Sequence, residues 1–149
     1  MKAQSLFEPT DRSSIGAIGL MQLMPYTAYA IARETDDRGF RLNAIGDSDK
    51  NIEYGGLYLR RLLDYYHGNV FLVAAAYNAG PKIVDRWIRR CGTCSLNVFV
   101  EEIPYPETRP NVKKVVENYY NYHQIYNSPV SLIDPLSTPS LPAISNEIF

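Results

Sequence analysis

The chain has 149 residues, 46% of them hydrophobic and 21% charged, with a formal net charge of -1. That is enough apolar material for one packed core, and too balanced a charge to mark a nucleic-acid or membrane-surface binder. No apolar run approaches the roughly 18 residues needed to span a bilayer, and Met1-Lys2-Ala3 does not open a signal segment.

In chain order, Gln4 and Ser5 end a helix, because Pro9 and the polar run Thr10-Asp11-Arg12-Ser13-Ser14 cannot continue one. Gly16 and Gly19 allow tight bends, and Gly19 allows close approach on its open side. Leu20, Met21, Leu23 and Met24 read as a short buried turn stopped by Pro25, with a helix from Thr27 to about Arg33 and Thr27 as its cap. Residues 34–47 are polar and glycine-punctuated, a loop. Asp47-Ser48-Asp49 is a capping signal for a helix from about Lys50 to Tyr66, whose apolar residues recur at three- and four-residue spacing. His67-Gly68-Asn69 ends it.

Val70 to Tyr77 is apolar almost throughout and predicts a central buried helix. At Gly80-Pro81 the glycine closes that helix and the proline opens the next, which carries Ile83, Val84, Trp87 and Ile88 on one face and Arg86, Arg89 and Arg90 on the other. Ser95 caps a short helix through Glu102. Two prolines hold the segment from Ile103 to Arg109 extended, and a last helix runs from about Pro110 to Tyr126.

Cys91-Gly92-Thr93-Cys94 leaves three readings open: a local disulfide, two free thiols or half of a metal site. A redox site wants a strand-then-helix context, and a zinc site wants two more ligands, while His67 and His123 stand far off in sequence. Twelve tyrosines, one tryptophan and five phenylalanines serve either as core packing or as platforms for sugar rings.

From Asn127 the composition changes: four Pro and five Ser, with no Lys or Arg. No period-2 strand and no internal repeat stands out. The reading is an all-α fold, one helical domain over 1–127 with an extended Pro/Ser-rich tail over 128–149. Val130, Leu132, Ile133 and Leu136 make that tail too apolar for a solvated linker, so it is expected to lie partly ordered on the domain.

The stretch from Ala3 to Thr27 carries the most chemistry. Gly16-Ala17-Ile18-Gly19-Leu20-Met21-Gln22-Leu23-Met24-Pro25, with Thr27-Ala28 after it, resembles the signature of the soluble lytic transglycosylases, lysozyme-like enzymes that cut bacterial peptidoglycan. Further blocks follow in the family's order: Asn51 to Leu59 is similar to N-x-x-x-G-x-x-Y-L. Ala75 to Pro81 stands in full as A-A-Y-N-A-G-P, and Glu102 to Arg109 looks like E-x-I-P-x-x-E-T-R. The tail and the two cysteines lie outside the resemblance.

The resemblance implies a lysozyme-like fold, an extracytoplasmic location in the bacterial envelope or periplasm, glycan strands of peptidoglycan as the partner, and no metal or cofactor. That location favours the disulfide reading of Cys91 and Cys94. The family's catalytic helix begins well upstream of its E-S pair, whereas three residues precede Gln4, so the resemblance also implies upstream domains missing from this chain.

The activity implied is cleavage of the β-1,4 bond between N-acetylmuramic acid and N-acetylglucosamine, without water and with a 1,6-anhydro product. One Glu acts first as acid and then as base, and the substrate's 2-acetamido group stands in for a second carboxylate. Such a Glu wants apolar neighbours to keep its proton near neutral pH, for which Met21, Leu23, Met24 and the helix from Val70 are sensible suppliers.

In this chain the catalytic position is Gln4, which can hydrogen-bond a sugar but has no acidic proton. Two readings stand open, an introduced substitution that traps substrate and a natural pseudoenzyme. The intact neighbouring motifs favour the first, since drift would erode several. Glu8 does not replace it, because it sits directly before Pro9 where the chain leaves the helix.

By resemblance, Ser13 hydrogen-bonds near the catalytic group, against a plain turn serine. Gln22 and Met24 line the groove, against core filler for the methionine. Tyr77 steadies the acetamido or the catalytic side chain, Asn78 ends the central helix at the cleft, and Glu107 is the groove acid that binds sugar. A hydrolytic lysozyme of similar fold and a non-catalytic wall-binding module remain as alternatives.

Overall fold

The computed structural model describes residue 13, residues 16–126 and residues 137–140. The helix end expected at Gln4 and Ser5, Glu8, and the tail apart from 137–140 lie outside the described residues. Among the described residues the structure is helical, and the only extended pairing is an isolated antiparallel bridge between Ile18 and Leu23. The all-α expectation holds. No helix among the described residues is long and apolar enough to cross a membrane.

The chain divides between Arg61 and Leu62 into two compact units. The first holds α1 (Pro25–Glu34), a 3-10 helix (Leu42–Gly46) and most of α2 (Ser48–Tyr65). Helix α1 starts at Pro25, two residues before the expected cap. Proline's preset φ and missing N–H suit the first helical position, with Met24 extended before it at ψ 142. Thr27 is no cap and is 3% exposed inside the helix.

The loop expected over 34–47 contains the 3-10 helix, because Ile45 is fully buried there and anchors the turn in the core. Helix α2 begins as the capping signal foresaw, with Asp47 Oδ1 accepting from the backbone N–H of Asp49 and Lys50 at 3.1 Å each. It ends where His67 and Gly68 take positive φ values of 51° and 76°.

The second unit is built around α3 (Val70–Ala79), in which every residue from Val70 to Ala76 is buried. A helix apolar on all sides has to be enclosed, and α4 (Pro81–Cys91) and α6 (Thr108–Ile125) pack on it. Asn69 Oδ1 caps α3 by accepting from Phe71 and Leu72. Gly80, at φ +90, closes α3 and precedes Pro81 as the sequence predicts. On α4, Val84 and Ile88 are buried and Arg86, Arg89 and Arg90 are exposed.

Cys91 and Cys94 form a disulfide, with Cα atoms 5.5 Å apart, that closes the turn after α4. Helix α5 (Leu96–Glu101) follows, Ser95 Oγ accepting from Val98 N. Its first backbone donor, Leu96 N, gives its hydrogen bond to the carbonyl of Ser137 at 2.8 Å, two residues before the buried Pro139. Helix α6 starts at Thr108, earlier than Pro110. Proline is tolerated in a first turn, where backbone N–H groups have no helical partner anyway.

Candidate functional site

In the first unit, the motif around Gly16 to Pro25 folds as a tight turn closed on itself. Ser13 Oγ accepts from Ala17 N at 2.9 Å, and Gly16 N donates to the Ser13 carbonyl at 3.0 Å. Ile18 and Leu23 exchange backbone hydrogen bonds of 3.0 Å in each direction. Between them Gln22 adopts φ 48°, and both its backbone N–H and its side-chain Nε2 donate to the Gly19 carbonyl at 2.9 Å.

Asn51, 1% exposed on α2, locks this turn. Its Nδ2 donates to the Ile18 carbonyl at 2.9 Å and the Ile45 carbonyl at 3.0 Å, while Oδ1 accepts from Met21 N at 2.7 Å. One turn along the same helix face, Gly55 lets the loop come close: a Cβ there would lie 2.6 Å from Met21. A Cβ on Gly19 would lie 2.5 Å from Asn51 Nδ2, and that residue's φ is +75°. The Asn–Gly spacing of four is therefore a docking face for the loop.

In the second unit, Tyr77 and Asn78 occupy the last turn of α3. Burial pushes the Tyr77 hydroxyl well above its ordinary pKa, and as a neutral phenol it can donate a hydrogen bond. Asn78 Oδ1 accepts from Thr108 Oγ1 at 2.6 Å, and Thr108 is 1% exposed at the start of α6. Glu107, exposed, directly precedes it, so Asn78 and Glu107 sit at one meeting point of two helix ends. Arg109 holds the preceding segment by donating to the Ile103 carbonyl through Nε and Nη2, at 3.2 and 2.8 Å.

The structure thus places Ser13, Gln22 and Met24 on one self-closed loop, and Tyr77, Asn78 and Glu107 at the junction of α3 and α6. Met24 is half-buried as the residue before α1. Gln4 lies outside the described residues. Among the described residues no group of His, Cys, Asp and Glu is arranged to hold a metal ion.

Two residues that position this framework were not singled out from the sequence. Thr108 belongs to the E-T-R block in the sequence, but its role shows only when Asn78 is set beside it. Asp85 accepts from Tyr65 and Tyr66 at 2.8 and 2.9 Å and is 9% exposed. A tyrosine pair ahead of an apolar helix was the available signal.

Three comparisons bear on this arrangement. The chain is 36% identical over 125 residues to the soluble lytic murein transglycosylase of Escherichia coli (strain K12), covering 81% of this chain and 19% of that protein. Its fold is similar to an inactive Glu-to-Gln mutant of the lytic transglycosylase Slt from Pseudomonas aeruginosa, with a TM-score of 0.77 and 37% identity over 89% of this chain and 22% of that one.

The 70-kDa soluble lytic transglycosylase of Escherichia coli gives the same TM-score, 0.77, at 30% identity over 95% of this chain and 22% of that one. The helical fold is therefore the lysozyme-like one, and the chain spans about a fifth of the length of these relatives. The family described as the transglycosylase SLT domain matches residues 1–99. On that match, two thirds of its length and including the loop locked by Asn51, the chain belongs to the transglycosylase SLT domain family.

Proposed function

We propose that this chain is the catalytic domain of a peptidoglycan lytic transglycosylase in a form that holds glycan strands and barely cuts them. One observation carries the reading: the signature loop from Gly16 to Met24 is intact and held by Asn51 through Ile18 and Met21, and the resemblance puts the acid at position 4, where this chain has Gln. A relative carrying a Glu-to-Gln replacement is described as inactive, which agrees with that assignment.

In the competent form a Glu at position 4 protonates the oxygen leaving from N-acetylmuramic acid, and the 2-acetamido group supports the developing cation. The same carboxylate then takes the proton from the muramoyl 6-hydroxyl as that oxygen closes on the anomeric carbon. No water enters, and the product ends in a 1,6-anhydro ring. Tyr77, a neutral phenol, donates a hydrogen bond to the acetamido carbonyl or to the carboxylate. Ser13, Gln22, Met24, Asn78 and Glu107 bind sugar. Gln4 preserves the shape and removes the proton, and losing a general acid costs about 10²–10⁴ in rate. Because one group performs both transfers, the upper end applies. The work belongs outside the cytoplasm, at the bacterial wall.

The test is turbidity clearing of purified sacculi by the chain and by its Gln4→Glu variant. The chain binds and clears little, and the variant gains about 10⁴ or more in rate. Equal clearing by both would show that position 4 is not the acid. Reducing ends in place of 1,6-anhydro ends would make the enzyme a hydrolytic lysozyme. Binding without any gain on restoring Glu would leave a wall-binding module.

A further inference from the structure

The loop after α1 forms a shallow hollow of about 330 Å³ in the first unit, lined by Tyr29, Ala32, Arg33, Asp36, Arg38 and Phe40. That is the small end of the roughly 300–1,000 Å³ typical of ligand pockets, room for one ring. We propose that it is a second saccharide site, lined by residues outside the signature motif, which seats one N-acetylated sugar ring of a peptidoglycan strand. The proposal rests on the peptidoglycan reading above.

The first reason is that the aromatic wall is fixed in advance. Tyr29, 54% exposed, meets Phe40 edge to face at 5.4 Å and 88°, and Phe40 in turn stacks on Tyr54 at 5.4 Å and 23°. Tyr54 is fully buried and donates to Asp37 Oδ2 at 2.7 Å. Lys50 lies 4.5 Å over the Tyr54 ring and pairs with Asp37 at 2.9 Å. The exposed ring is thus the outer end of a chain anchored in the core, so a ligand need not order it on binding.

The second reason is the polar rim. Arg33 lies one helical turn beyond Tyr29 on the same strip of α1, and Arg38 pairs with Asp36 at 3.0 Å with both side chains largely exposed. Such an exposed pair is weakly held, so both groups can turn to a ligand. Asp36 and Asp37 stand among Arg33 and Arg38, with Asp37 held by Lys50, so the rim mixes both signs and is not the uniformly basic surface that tracks a phosphate backbone. Aromatic faces beside a balanced set of donors and acceptors fit a molecule with an apolar C–H face and hydroxyls around its edge. A sugar ring has that form, and its hydroxyls, its acetamido carbonyl and the lactyl oxygens of a muramic acid give the guanidinium groups acceptors. A weak second contact on a polymeric ligand raises retention through effective concentration, without new chemistry at the first site.

The experiment is co-sedimentation of the chain with purified sacculi and with glycan strands stripped of their stem peptides, using the parent, Tyr29→Ala, Tyr29→Phe and Arg33→Glu. We expect Tyr29→Ala and Arg33→Glu each to weaken retention on both materials by about tenfold or more, with Tyr29→Phe close to the parent. In the Gln4→Glu background, turnover of short soluble glycan fragments stays at the parent rate for all three substitutions. Unchanged retention of folded Tyr29→Ala and Arg33→Glu overturns the second site while leaving the peptidoglycan reading standing. An effect that disappears on stripped strands makes the ligand a peptide and overturns the saccharide assignment, as does an equal loss of soluble turnover, which would put Tyr29 in the cleavage groove. A parent that neither binds sacculi nor cuts them as Gln4→Glu defeats both readings together.

Discussion

Asn51 shows how much one side chain can decide. Its amide makes three hydrogen bonds, to Ile18, Ile45 and Met21, across two sequence separations of about thirty residues and one of six. Asn51→Ala leaves two buried carbonyls and one N–H without that partner, at about 3 kcal/mol for the set. Gly19→Ala puts a methyl group against the same amide and forces a side chain onto φ +75°, so it should cost at least about 2 kcal/mol. Thermal melts of both variants check this. A stable Gly19→Ala protein with unchanged saccharide binding would mean that the loop has room the geometry denies.

At the scale of elements, the last turn of α2 is tied to α4 through Asp85, which accepts from the Tyr65 and Tyr66 hydroxyls. Burial, with Asp85 beside it, pushes the Tyr65 hydroxyl from 10.0 up to about 12. The folded state therefore keeps a proton that the unfolded chain releases near pH 10.0. This contribution to stability is whole below pH 10.0 and is lost as pH rises from there through about 12. Melting temperature should fall across that window, and Tyr65→Phe should flatten part of the fall, since Tyr54, Tyr77 and Tyr120 are raised as well. An identical slope in Tyr65→Phe would remove Tyr65 from the account.

For the whole molecule, the tail segment 137–140 touches the helical core. The Ser137 carbonyl accepts from Leu96 N, the first backbone donor of α5, and Pro139 is buried. Removing residues 128–149 deletes that hydrogen bond, worth about 0.5–1.5 kcal/mol, and uncovers apolar surface. The melting temperature should drop by about 2–4 °C for each kcal/mol lost. A truncated chain that melts with the full one would reduce the tail to a linker.

What the sequence determined alone is the family and the helical class. Signature blocks such as Gly16 to Pro25 and Ala75 to Pro81 are local, the apolar run from Val70 reads as a central helix, and the signals at Asp47 and Gly80-Pro81 act within one or two turns. It also exposed the absence of an acidic proton at Gln4, because that depends on the residue and not on its neighbours. The early start of α1 at Pro25 is a local effect of proline, whereas other boundaries were moved by partners distant in sequence. Ile45 forms a 3-10 turn because the core takes it, and α6 starts early where Thr108 is drawn to Asn78. Likewise Asn51 and Gly55 are visible as a motif, but only the folded loop pressed against them explains why a longer side chain at either Gly19 or Gly55 has no space. Hydrogen bonds and close approaches between residues tens of positions apart leave no periodicity to read, so tertiary structure alone decides them.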